Sequence, residues 1–160
     1  MKEIILSGSY WLHLIATVVW LGGIFFILFI AIPSAKQVLG AEAGKMMGEI
    51  SKRFTPLANY SIFLIILTGI VLTGFNKQFA ELSRLDNNWT RILILKHALV
   101  LGMVIVHFYR GLSLTPKIIK TASTEKKVAL QKKSVNLVKV NFGAGLLVLL
   151  LSGIAVVLAR

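Results

Sequence analysis

Residues 90–116 read TRILILKHALVLGMVIVHFYRGLSLTP, an apolar run that carries two of the chain's three histidines. Its length matches the ~20 apolar residues that a helix needs to cross a bilayer, so the stretch predicts a transmembrane helix over about 90–115. An ionisable side chain at depth in lipid costs roughly 2.5 kcal/mol or more, so such residues face the bundle interior and mark proton, ion or cofactor sites. Lys96, Val100, Met103 and His107 recur at helical spacing on one stripe, and His97, Leu101, Val104 and Phe108 form the stripe beside it. Both stripes can face inward together.

More than half of the residues are hydrophobic, and three further apolar runs, at about 8–32, 56–74 and 136–159, surround this one. The expectation is an all-α integral membrane protein. It is a single transmembrane domain built as a four-helix bundle, with short amphipathic helices in the cytoplasmic loops and no soluble catalytic module. The net charge of +12 does not point to nucleic acid, because the basic residues fall between the apolar runs and report orientation. The chain has no cysteine, which excludes disulfides, thiolate metal ligands, iron–sulfur clusters and covalently attached c-type haem. Histidine, methionine and carboxylate ligands remain.

The first run starts with Tyr10 and Trp11 at an interfacial level and is expected to stop before Pro33; it is too long and aromatic for a cleaved signal. His13, Ala16, Thr17, Trp20 and Gly23 share one face, small residues around one large aromatic, a surface suited to border a flat ligand. Lys36, Lys45, Lys52 and Arg53 then punctuate an interfacial helix or helical loop. Thr55 and Pro56 predict an N-cap and first helical position for the second run, in which Asn59 is the strongly polar residue. Asp86, Asn87 and Asn88 offer turn and capping chemistry before Trp89, and Thr121, Ser123 and Thr124 do the same before the last run. Gly143, Gly145 and Gly153 predict close helix approach there.

Twelve of the eighteen basic residues lie in the first and third loops or at their edges: Lys36, Lys45, Lys52 and Arg53, then Arg110, Lys117, Lys120, Lys126, Lys127, Lys132, Lys133 and Lys139. The positive-inside rule makes that side cytoplasmic and places both termini and the second loop outside. The first and third helices then run in the same direction. His13 and His97 both fall about 8–9 Å below the outer boundary at 1.5 Å per residue. Two imidazoles at one depth on different helices can clamp a haem between them as axial ligands. His107, about 15 Å deeper on the same helix, belongs to a separate inner-leaflet position near Tyr109 and Arg110 and is a further metal candidate.

The motifs WLHLIATVVWLGG (11–23) and ILKHALVLGMVIVHFYRGLSLTP (94–116), with the four-run layout, resemble the copper-resistance D (CopD) membrane domain and its HemJ-like protoporphyrinogen oxidase relatives. The resemblance covers most of the chain. Its informative parts are His13 with Trp20, Gly22 and Gly23, then Lys96 and Pro116. It implies that a first-helix histidine and a third-helix lysine, here His13 and Lys96, are associated with haem and activity, and that His107 is similar to a later histidine of those relatives. His97, directly after the lysine, departs from that pattern and makes a bis-histidine site possible. The CopD name carries an association with copper.

Three functions follow. The first is a small cytochrome-b-like membrane haem protein, an oxidoreductase or electron-transfer protein working at the outer face of the cytoplasmic membrane. His13 and His97 ligate one haem b beside Trp20, Lys96 sits at the haem edge and pairs with a propionate or an anionic substrate, and the redox partner is a quinone, superoxide or a protein electron carrier. The second is a copper transport or binding protein in which His13, His97 and Met103 supply ligands, since imidazole and thioether suit copper. The third, by resemblance, is a protoporphyrinogen oxidase using Lys96 and His107. Against all three stands the plain reading, in which a membrane histidine hydrogen-bonds a neighbouring helix, Lys96 snorkels to the outer surface and the methionines fill packing gaps. The lipid bilayer is the one partner common to every reading, and a homo-oligomer remains open.

Overall fold

The computed structural model describes residues 1–75 and 87–158. The polar stretch with Lys77, Arg84 and Asp86, and the end of the last run at Ala159 and Arg160, lie outside the described residues. Among the described residues every regular element is helical. Three helical runs are long and apolar enough to cross a membrane: Lys2–Gly74, Asn88–Lys120 and Thr124–Leu158. The chain forms two compact units, Met1–Ala80 and Glu81–Arg160.

In the first unit, α1 (Lys2–Phe26) passes through a π-helical turn at Ile27–Ala31 into α2 (Ile32–Leu39). Pro33 therefore does not stop the helix as expected. In the π turn the Ile32 N–H bonds the Ile27 carbonyl five residues back. This extra residue moves the carbonyls out of the register in which a proline ring clashes with the preceding turn. Gly40, at φ +50°, ends α2 in a conformation that side chains rarely adopt. A single 3₁₀ turn then leads into α3 (Ala43–Gly74). The expected start at Thr55–Pro56 is also corrected: α3 runs straight through Pro56. The Thr55 hydroxyl donates back along its own helix to the Ser51 carbonyl at 2.7 Å, so it caps nothing.

α1 and α3 lie antiparallel. His13 meets Thr68, Gly23 meets Phe54, and the Lys2 ammonium lies 5.5 Å from the centre of the Phe75 ring. Ala16, Trp20 and Ile24 of α1 are buried together with Ala58, Ser61, Ile62 and Thr68 of α3. The faces turned away carry exposed Leu14, Val18, Phe63 and Ile70, apolar surface of the kind a membrane covers.

The described part of the second unit begins at Asn87, whose side chain accepts from the Trp89 N–H at 2.9 Å and caps α4 (Asn88–Tyr109). α4 continues through a second π turn, Arg110–Leu114, into α5 (Thr115–Lys120). Pro116 is thus crossed as Pro33 is, directly after an inserted residue. Ser123 precedes α6 (Thr124–Leu158), its carbonyl accepting from the Lys127 N–H at 2.9 Å. α4 and α6 are antiparallel: Trp89 and Leu93 pack on Ala155, and the Asn141 side-chain amide donates to the Met103 carbonyl at 3.2 Å. Of the three glycines expected at a close approach, Gly145 is buried, whereas Gly143 and Gly153 look onto open space. The tight approach is at Gly23, where an added Cβ would overlap the Phe54 ring.

Candidate metal-ligating histidines

His13 and Trp20 belong to the first unit; Lys96, His97 and His107 belong to the second. His13 is on the α1 face turned towards α3, and its Nδ1 lies 2.7 Å from the Thr68 hydroxyl oxygen. That hydroxyl has a single proton, and its oxygen is 2.5 Å from the Leu64 carbonyl, which can only accept. The hydroxyl donates to Leu64, so its lone pair accepts from the imidazole Nδ1–H. The neutral ring is thereby held as the Nδ1–H tautomer, with its lone pair on Nε2. Thr17 donates to the His13 carbonyl at 2.8 Å. On the other side, Gly69 brings only its backbone near the ring: a Cβ there would lie 3.8 Å from Cε1.

Trp20, two turns further along α1, is buried on the same face, as the spacing predicts. The five residues read as one stripe from the sequence are all buried or half-buried.

His97 reaches the same electronic state by a different route. Its Nδ1 lies 2.7 Å from the Leu93 carbonyl of its own helix. A carbonyl only accepts, so Nδ1 carries a proton, and in the neutral ring the lone pair is on Nε2. Metal-ligating histidines have this arrangement, with one ring N–H anchored on an oxygen, which fixes orientation and tautomer, and the other nitrogen offered to the metal.

Within the second unit the two stripes of α4 are not covered alike. α6 covers one side, where Met103 and His107 are buried and Lys96 is half-buried; His97, Leu101 and Phe108 are exposed. One neighbouring helix covers an arc of roughly 100°, and the His97 stripe lies beyond it. Met103 and His107, one turn apart, therefore share a packed environment that His97 does not. Among the described residues no three His, Cys, Asp or Glu side chains gather as a metal-holding group.

Thr68 is the residue that sequence reasoning passed over. It is buried at seven residues from buried Ser61 on the same face of α3, and a polar pair at that interval inside an apolar run was the available signal.

The family model for copper resistance protein D matches residues 48–158. The match takes in Thr68, Lys96, His97 and His107, while His13 and Trp20 precede it. No curated protein and no solved structure matches significantly.

Proposed function

Because the chain belongs to the copper resistance protein D family, we propose that it binds copper within the membrane and hands it on, with His13 and His97 as the ligating imidazoles. The observation that carries this reading is the shared tautomer: both rings anchor Nδ1–H on an oxygen, which leaves the lone pair on Nε2. Imidazole suits copper, and a chain without cysteine offers no thiolate to hold the ion more tightly. A cargo that must leave again favours so sparse a ligand set. Thr68 orients the His13 ring.

The accompanying topology has four crossings: α1, the part of α3 from about Pro56, α4 and α6, each long enough for the apolar layer. Both termini face outward from the cytoplasmic membrane, because the basic loops are retained inside.

A haem b is the second reading. It draws on the same imidazoles as iron ligands, with Lys96 pairing a propionate, and it is favoured by buried Trp20 on the His13 face. In that case the haem would supply reversible electron transfer. The two readings separate on the purified protein. Copper that is lost in His13→Ala and in His97→Ala, but kept in His107→Ala, is the expected result. A wild-type protein that takes up no copper overturns the proposal.

A further inference from the structure

At the end of the α4–α6 hairpin opposite Trp89, the Arg110 guanidinium Nε donates to the Ser134 hydroxyl at 3.2 Å. The residues next to these two make a second link across the same helices. The Lys133 ammonium lies 3.5 Å from the Tyr109 hydroxyl oxygen and 5.8 Å from the centre of its ring. Two cations and two hydroxyls therefore stand at one level of the hairpin, and Arg110 is half-buried there. Among the described residues neither cation is paired with a carboxylate: Glu42 pairs with Lys45 in the first unit, and Glu125 of α6 is nine residues from Ser134, about 13 Å along the helix. A half-buried guanidinium at the edge of an apolar layer requires an anion.

We propose that Arg110 and Lys133 hold the phosphate of an anionic phospholipid. With Nε engaged by Ser134, the terminal guanidinium nitrogens remain for a two-pronged grip on phosphate oxygens, and Lys133 adds a point charge. Exposed Leu112 lies beside the cluster, and exposed Ile105 and Val140 lie further along α4 and α6 towards their apolar middles, so acyl chains have surface to follow. This apolar continuation selects a lipid over free phosphate. Basic positions between membrane helices at the cytoplasmic side bind acidic headgroups by this chemistry.

The test uses the intact protein in mild detergent, with bound lipid read by native mass spectrometry. Phosphatidylglycerol is retained, and phosphatidylcholine and inorganic phosphate are not. Arg110→Gln and Lys133→Gln each weaken phosphatidylglycerol retention by about fivefold. The doubly substituted Lys126→Gln, Lys127→Gln protein, altered at exposed lysines on α6, retains it fully. Lys133 is exposed, so its variant reports on binding even if Arg110→Gln folds poorly. Three results overturn the proposal: equal retention of phosphatidylcholine, displacement of the lipid by an equal concentration of inorganic phosphate, or an equal loss in the Lys126, Lys127 variant.

Discussion

The hydroxyl of Thr68 decides which nitrogen His13 can offer. Spending its one proton on the Leu64 carbonyl makes it an acceptor for the imidazole, and that contact ties the His13 ring to α3. Thr68→Val is expected to lower copper affinity by about 10- to 100-fold, the usual effect of removing the group behind a metal-ligating histidine. Thr68→Ser should restore it, and titration of purified protein with a competing chelator measures both. A fall of the same size in both variants would mean that side-chain volume matters there and the hydroxyl does not. Lys96→Met divides the two metals: copper content should not change, whereas a haem protein would lose haem or shift its potential. The histidines were legible as rare ionisable residues in apolar runs. Thr68 was not, because a threonine in a span reads as a tolerated residue until the helix opposite it is known.

Among the elements, Gly23 of α1 packs directly against the Phe54 ring of α3. A methyl group at Gly23 forces the ring aside, so Gly23→Ala should cost about 1–3 kcal/mol, seen as a lower unfolding midpoint in detergent. Phe54→Leu in the same chain should recover much of that loss; if it does not, the close approach of α1 to α3 is not what the glycine serves. The inward stripe of α1 was readable because helical periodicity fixes a face. Where the helices end was not readable. Pro33 and Pro116 look like stops, but each follows a π turn that shifts the hydrogen-bond register by one residue, and no sequence signal marks the inserted residue. Thr55 resembles a cap, yet its hydroxyl has a carbonyl of its own helix within reach. Likewise, the two stripes of α4 could be placed side by side from spacing alone, but only the position of α6 decides which is covered.

For the whole molecule, the basic loops predict that the residues around Ser123 face the cytoplasm and those around Asn88 face outward. Single cysteines at these two sites in this cysteine-free chain should label from outside intact cells at Asn88 and stay silent at Ser123; the reverse pattern would invert the protein. Membrane residence was plain from composition, and the family from its motifs, but the metal was not. An imidazole with its lone pair on Nε2 serves iron and copper alike, and length, charge and periodicity carry no information on which is bound. The most direct measurement is therefore the metal content and visible spectrum of the wild-type protein purified from copper-supplied cells, beside His13→Ala. Bound copper without a Soret band, lost in the variant, is the predicted result; a Soret band that collapses in His13→Ala, with no copper in the wild type, would contradict it.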